Sequence, residues 1–189
     1  MHCALCKEKN CRSGQNCTKL TFEEVDATYN DRDRQIMLAA AKIEGAALSR
    51  LEESVKLAQA MGCTTIGVAF CMGLANEAKY IVQYFQKTFI VHSVCCKVCG
   101  IGKQQFNPEQ NQGGKFDPMC NPAIQAKQLN DADTELNFTV GLCVGHDMIL
   151  GLHSKAPVSA LAVKDRLLAH NPLGAIYSGF SRKRLGLVD

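Results

Sequence analysis

The chain lacks the features that mark membrane and secreted proteins. No apolar run in its 189 residues approaches the ~18 residues needed to cross a bilayer. The N-terminus has no apolar stretch of the kind found in signal peptides, and its cysteines begin at position 3. We therefore expect a cytoplasmic protein that makes no use of a membrane.

Signs of nucleotide and nucleic-acid binding are also missing. The sequence contains neither a G-x-G-x-x-G loop nor a Walker motif, so nucleotide binding has no local support. The net charge of +3 is too weak to argue for a nucleic-acid partner. The three basic residues at 182–184 are typical of a solvated tail.

Cysteine, by contrast, is abundant, with 11 residues, an odd number. In the reducing cytosol thiols stay free, so a dense cysteine pattern indicates metal binding or catalysis rather than a disulfide framework. The positions of these cysteines relative to the predicted strands therefore decide the functional hypothesis.

The apolar pattern predicts an α/β domain. Apolar residues recur at helical spacing over 31–61, with Asn30 or Asp31 as the cap, Gly62 as the stop and Gly45 as a possible division. Four buried strands alternate with helices further along; the strands are 64–70, 88–94, 137–142 and 157–163, and the helices are 75–87, 120–132, 145–152 and 171–178. This alternation predicts βαβ units and a three-layer, Rossmann-like domain with a mostly parallel sheet over residues 21–189.

A cysteine knuckle is predicted at residues 1–20, ahead of this domain. Cys3, Cys6, Cys11 and Cys17 lie on a short polar segment that has too few apolar residues to form a core. Their thiolates suit zinc or an iron–sulfur cluster. Only the first pair has the C-x2-C spacing that structural zinc sites usually repeat, so an iron–sulfur cluster is favoured and zinc is the alternative.

A second group of cysteines follows the predicted strands. Cys71 comes after the first strand, Cys96 after the second and Cys143 after the third, while Cys120 begins the helix before the third strand. The carboxyl ends of parallel strands meet at one edge, where ligands bind. We therefore predict that these four cysteines form a second thiolate site, although buried cysteine is also an ordinary small core residue.

The roles of the remaining cysteines and of the histidines are less defined. Cys95 and Cys99 stay open as ligands, and Cys63, at the opposite edge, is expected in the core. His146, three residues past Cys143, is either a ligand, an acid–base group or a structural histidine. His92 is expected in the core and His170 in a turn; these side chains therefore add little to the site prediction.

Six segments carry a resemblance to a known family: CALCKEKNCRSGQNC, IGVAFCMGLANEAK, SVCCKVCGI, MCNPAIQAKQLN, VGLCVGHD and APVSALAVKDRLLAHNPLGAIY. Together they resemble an uncharacterised cysteine-rich metal-binding family, a domain of unknown function found mainly in anaerobic bacteria and archaea. The similarity runs nearly end to end and implies metal binding but no reaction. The first segment also resembles the C-x2-C-x4-C opening of small four-iron (4Fe-4S) cluster domains, with a shorter last step.

Three functional hypotheses follow. The favoured one is an iron–sulfur protein with two thiolate sites that transfers electrons or performs reductive chemistry, with a redox protein or a small molecule under the loop 100–118 as its partner. Gly113–Gly114 would be the hinge of that loop if it acts as a lid. The second is a thiol enzyme with Cys143 as nucleophile, His146 as base and a structural zinc at the N-terminus. The third is a metal-handling or sensing protein without catalysis.

Overall fold

The computed structural model describes residues 2–107, 109 and 116–187. The chain divides into two compact units, Met1–Glu44 and Gly45–Asp189. The predicted knuckle lies within the first unit, and the predicted α/β domain contains the whole of the second. The proposed hinge at Gly113–Gly114 lies outside the described residues.

The first unit consists of short helices and turns. Two single 3₁₀ turns, Cys3–Leu5 and Asn10–Ser13, precede helices α1 (Phe22–Asp26) and α2 (Asp31–Ala41). Asn30 caps α2 in a reciprocal capping box, as its position predicted. No side chain over residues 2–20 is buried, in agreement with a segment that has no core of its own.

The predicted helical stretch 31–61 is divided into two helices. After α2, Gly45 has φ +80°, a left-handed conformation suited to glycine, and α3 (Arg50–Ala60) starts afresh. Ser49 and Glu52 form a capping box at this second start. The alanine-rich apolar spacing continues across the break, which is why periodicity alone did not place it.

Strands and helices alternate through the second unit as predicted. After α3 the elements are β1 (Thr65–Phe70), α4 (Ala75–Phe85), β2 (Ile90–Cys95), α5 (Lys103–Phe106), α6 (Pro122–Asp131), β3 (Leu136–Leu142), α7 (His146–His153), β4 (Val158–Val163), α8 (Gly174–Tyr177) and α9 (Gly179–Arg184). Two helices of this unit were not expected: α5 lies in the predicted loop 100–118, and α9 includes the basic residues 182–184, which were predicted to form a solvated tail. Backbone hydrogen bonds between Lys103 and Asp117, and between Met119 and Ile101, tie the two ends of that loop together.

The four strands form one parallel sheet in the order β2-β1-β3-β4, which confirms the Rossmann-like α/β fold. Successive β1 side chains point to opposite faces, so the core has two halves. Ile66 and Val68 pack with α3 and α4, whereas Ala69 packs with α6 and α7. The sheet is therefore the middle of three layers, and its central strands, β1 and β3, are almost wholly buried.

A β-bulge interrupts β3 just before its end. Gly141 has φ +64°, and the register with β4 shifts on either side of Val140. As a result Val140 packs on the α3/α4 side, while Leu142, two residues later, packs on the α6/α7 side. The bulge changes the direction of the chain immediately before Cys143, and so helps to decide where that thiol lies.

The Glu135 carboxylate holds the starts of two strands and predicts a pH dependence of stability. It accepts the backbone N–H groups of Thr64 and Thr65 at 2.7 and 2.8 Å, and these bonds hold its pKa below the ordinary value of 4.5. A carboxylate with a lowered pKa stabilises the fold above its unfolded pKa and loses that effect as the pH falls through the lowered folded value.

We expect Glu135→Gln to cost about 1 kcal/mol of unfolding free energy at about pH 7, with solvent screening at this exposed position keeping the effect small. The cost should shrink at an acidic pH below the lowered folded pKa, where the wild-type side chain is itself neutral. Urea unfolding at both pH values measures this, with the exposed Glu44→Gln as control. A cost of the same size at both pH values would contradict the role given to the charge.

Candidate thiolate site

Three of the predicted site cysteines follow three adjacent strands at the carboxyl edge of the sheet. The Cys71 N–H donates to Val140 O at 3.0 Å, and the Cys96 N–H donates to Phe70 O at 2.8 Å, so pairing continues past the strand ends. The chain order reverses between β1 and β3, which places Cys71 and Cys143 at the topological switch point. Ligands of open α/β sheets bind in the crevice at this position.

Cys96 is the most buried thiol of this edge. It interacts with the sulfurs of both Cys71 and Cys120. Burial raises the pKa of Cys96 to about 12; the Met72 N–H, 3.3 Å from its sulfur, opposes this rise, and the two neighbouring thiols add to it. The Asn121 N–H donates to Cys96 O at 2.8 Å, which anchors Cys120 beside this pair. Three thiols from three distant parts of the sequence thus meet here.

Cys71 has a different electrostatic environment. Partial burial by itself raises the pKa of its thiol. The Gly73 N–H, the Lys164 ammonium and the Cys96 thiol more than offset this, so the pKa lies below its ordinary value. A Cβ at Gly73 would lie 3.2 Å from Lys164 Nζ, so glycine leaves the room that the ammonium occupies. Cys71 is therefore more readily converted than Cys96 to thiolate, the form that binds metals.

Cys143 and Cys120 both line a cavity of about 720 Å³ at the same edge. Arg166 Nη2 lies 3.5 Å from Cys143 Sγ, and its donor is directed at the sulfur. His146 also lines this cavity, one helical turn from Cys143. The four predicted cysteines therefore form two overlapping sets, the trio of Cys71, Cys96 and Cys120, and the cavity pair of Cys120 and Cys143.

Gln125 supports this edge, and the sequence analysis did not identify it. Its side chain is fully buried, and Nε2 donates to Phe70 O and Val94 O at 3.2 and 2.7 Å. The amide therefore links the last residues of β1 and β2, next to the cysteines that follow these strands. The available signal was a glutamine on the otherwise apolar face of α6, where a polar side chain is costly unless it is hydrogen-bonded.

The other cysteines of the second unit lie outside the trio. Cys63 packs against the α3/α4 half of the core, as expected, and burial, followed by the charge of Glu135, raises its pKa. Cys95 Sγ accepts the N–H of Lys97 at 3.4 Å, within its own turn. Cys99 is exposed and has φ +73°. None of these three arrangements gives a reason to add the residue to the site.

The two remaining histidine predictions had opposite outcomes. His92 is exposed, because β2 is an edge strand, so its expected place in the core was wrong. His170 Nδ1 accepts the N–H of Asp165 at 3.0 Å and closes a turn, as expected. Alternation along a strand does not by itself show which strand lies at the edge.

The four N-terminal cysteines are exposed. The Cys11 thiol donates to Lys9 O at 3.7 Å and the Cys17 thiol to Gln15 O at 3.8 Å. Cys3 begins the first 3₁₀ turn and Cys6 follows it, and the Cys6 N–H donates to Cys3 O at the end of the turn. These sulfurs are accessible to a metal, but the segment has no core that would hold them in place without one.

The described residues contain no preformed site for a single metal ion. Within residues 2–107, 109 and 116–187, no three Cys, His, Asp or Glu side chains are grouped closely enough to hold one metal ion.

Over the same described part of the chain, no helix is both long and apolar enough to cross a bilayer.

A protein-family model matches most of the chain. The model of a family described as "Protein of unknown function (DUF1847)" matches residues 12–161. The chain belongs to this family. The span matched by the DUF1847 model contains Cys71, Cys96, Cys120 and Cys143, and it begins just after Cys11. The resemblance seen in the sequence is thereby confirmed at the level of an uncharacterised family.

The chain is also similar to a relative over nearly its whole length. The chain is 42% identical over 189 residues to "Uncharacterized protein MJ0455" of Methanocaldococcus jannaschii, covering 98% of each chain. No solved structure matches. Membership in DUF1847 therefore brings no assigned activity, and function has to be argued from the site.

Proposed function

We propose that the chain is an iron–sulfur protein whose main centre is held by Cys71, Cys96, Cys120 and Cys143. The observation that carries this proposal is the meeting of Cys71, Cys96 and Cys120 at the carboxyl edge of the sheet, with Cys143 on the cavity that Cys120 also lines. Four cysteine sulfurs are the usual donor set of such a cluster. When bound, the cluster would supply one-electron transfer.

The groups around these sulfurs support a redox role. The Met72 N–H is directed at Cys96, the Lys164 ammonium interacts with Cys71, and Arg166 donates towards Cys143. Hydrogen bonds and positive charge at ligand sulfurs stabilise the more reduced, more negative form of a cluster. The chain's own contribution is thus to hold the thiolates in a partly buried, cationic environment.

Cys3, Cys6, Cys11 and Cys17 are proposed as the ligands of a second site. Their exposure and close spacing along the chain support metal-dependent folding of this segment. A four-iron cluster is the favoured occupant, with zinc as the alternative. We place the protein in the cytoplasm of an anaerobic host, with a redox protein or a small molecule as its partner.

Anaerobic purification with metal analysis tests this proposal. We expect a brown protein with a broad absorption band near about 400 nm and about four irons and four sulfides for each filled site. Zinc in place of iron at one site would leave about four irons and one zinc. A colourless protein that takes up no iron after anaerobic treatment with ferrous iron, sulfide and thiol would overturn the proposal.

One observation keeps a thiol enzyme as a second candidate. Arg166 lies 3.5 Å from Cys143 Sγ, and His146 lines the same cavity, so Cys143 has a cation and an imidazole nearby. A cationic neighbour favours the thiolate that acts as a nucleophile. Full activity in a protein free of iron, together with its loss on Cys143→Ala, would favour this candidate over the cluster.

A further inference from the structure

We propose that the cavity beside Cys143 binds a small organic oxyanion, a molecule that carries a carboxylate or phosphate group. The proposal rests on the proposed function only in making this anion the small-molecule partner of the thiolate site. The binding itself depends on side chains that hold no metal.

The lining of the cavity is cationic. Lys97, Lys103 and Arg166 contribute permanent positive charge, and Asp117 is the one carboxylate among the described lining residues. Asp117 pairs with Lys103, so that carboxylate is already matched. Lys97 donates to the neutral carbonyl of Pro118, and Arg166 donates towards a sulfur. Lys103, and to a smaller extent the charge of Lys97, lower the pKa of Asp117, so both lysines share this one carboxylate. Among the described lining residues, three positive charges thus face one carboxylate, which leaves an excess of two positive charges.

Two acidic residues that neighbour the lining residues in sequence, Asp147 and Asp165, accept hydrogen bonds from nearby backbone groups. Asp147 Oδ1 accepts the N–H groups of Gly145 and Met148 at 3.1 and 2.8 Å. Asp165 Oδ1 accepts the N–H groups of Leu167 and Leu168 at 3.0 and 2.9 Å. Both carboxylates stabilise local turns, and neither lines the cavity.

The shape of the cavity indicates the size of the ligand. A volume of about 720 Å³ lies within the range of small-molecule sites. Phe106, Met119 and Ile149 add apolar surface beside the charged groups, which suits an organic body attached to an anionic group. Arg166 is suited to bind a planar carboxylate or a phosphate with two hydrogen bonds. Asn121, Pro122 and Ala123 at the start of α6 also line the wall, which adds the positive end of a helix dipole.

Alkylation with a matched pair of reagents tests the proposal on the reduced, metal-free full-length chain. Iodoacetate and iodoacetamide react alike, the thiolate sulfur forming a bond to the CH₂ carbon as iodide leaves, but only iodoacetate is an anion. At a given cysteine both rates are proportional to the fraction of thiolate, so their ratio does not depend on that fraction. The ratio therefore measures the local attraction for an anion. Peptide mass spectrometry gives this ratio for each cysteine.

We expect the iodoacetate-to-iodoacetamide ratio at Cys143 to exceed that at the exposed Cys17 by about threefold or more at low ionic strength. Arg166→Gln should bring the ratio close to that of Cys17, whereas Arg184→Gln, on the exposed α9, should not change it. Millimolar citrate or inorganic phosphate should slow both reagents at Cys143 more than sodium chloride of equal ionic strength does. The stronger of these two competitors identifies the preferred anionic group.

Equal ratios at Cys143 and Cys17, with no protection by citrate or phosphate, would overturn the proposal. Should Arg166→Gln fail to fold by circular dichroism, the competition in the wild-type chain decides. Should neither reagent reach Cys143, calorimetric titration with citrate and phosphate decides, and the absence of binding heat for both counts against the site. None of these measurements uses iron, so the anion site and the iron–sulfur proposal can fail independently.

Discussion

Replacing Gly67 by alanine is expected to destabilise the protein by about 3 kcal/mol or more, a large share of the roughly 5–15 kcal/mol that stabilises an ordinary domain. Gly67 is in the middle of β1, and a Cβ there would lie 2.0 Å from Asn137 Oδ1 and 2.9 Å from Leu129 Cδ2. Moving Asn137 away would break its hydrogen bond to Ser154 Oγ at 2.9 Å. The added methyl group therefore costs both overpacking and a buried polar contact.

Gly151→Ala is the matched control for this change. Gly151 lies within α7, and a Cβ there would meet no atom within 4 Å. Because alanine favours a helix over glycine, the control should be neutral or stabilise the protein by up to about 1 kcal/mol. Urea unfolding of both variants measures the difference, and a Gly67→Ala protein as stable as the control would show that the packing of β1 against β3 is wrong.

The order of the strands explains why the sequence predicted the sheet well. The two central strands are buried on both faces because helices cover both, so TIGVAF and NFTVGL appear as mostly apolar runs. Gly-containing and polar breaks on either side placed their ends within two residues. The carboxyl edge, and the cysteines that follow the strands there, came directly from this alternation.

Features that depend on one side chain reaching another could not be read from the spacing. The Gly141 bulge moves Leu142 to the opposite half of the core, and strict alternation predicts the other side. The bridge made by Gln125 and the contact of Lys164 with Cys71 join segments that lie far apart in sequence. Both become visible only once the loops after the strands have been placed in three dimensions.

The break between α2 and α3 illustrates a local signal that competed with a longer one. Ser49 and Glu52 form a capping box, which marks the start of a helix. The alanine-rich spacing from 31 to 61 continues through it, so the spacing alone does not show this second start. Gly45, with its positive φ, was the residue that pointed correctly to the division.

Replacing Cys71 by serine should abolish the proposed main centre. Iron bound at the N-terminal site is first removed from the measurement. The starting variant changes Cys3, Cys6, Cys11 and Cys17 to serine, so any iron it takes up anaerobically belongs to the second unit. Cys71→Ser in that variant is expected to lower bound iron and the absorption near about 400 nm at least tenfold. The exchange of sulfur for oxygen removes a soft ligand but keeps the size and a hydrogen-bonding group.

Cys63→Ser in the same variant is the matched control. Cys63 is half-buried, as Cys71 is, but it packs against the α3/α4 half of the core, away from the trio of thiols. Its variant should keep its iron, and circular dichroism should show that both variants are folded. Equal iron in the two would refute Cys71 as a ligand.

The starting variant itself separates the two proposed sites. Iron bound without the N-terminal cysteines supports a centre at the sheet edge, whereas its complete loss would restrict metal binding to the knuckle. The contact of Cys96 with both Cys71 and Cys120 argues for the first result.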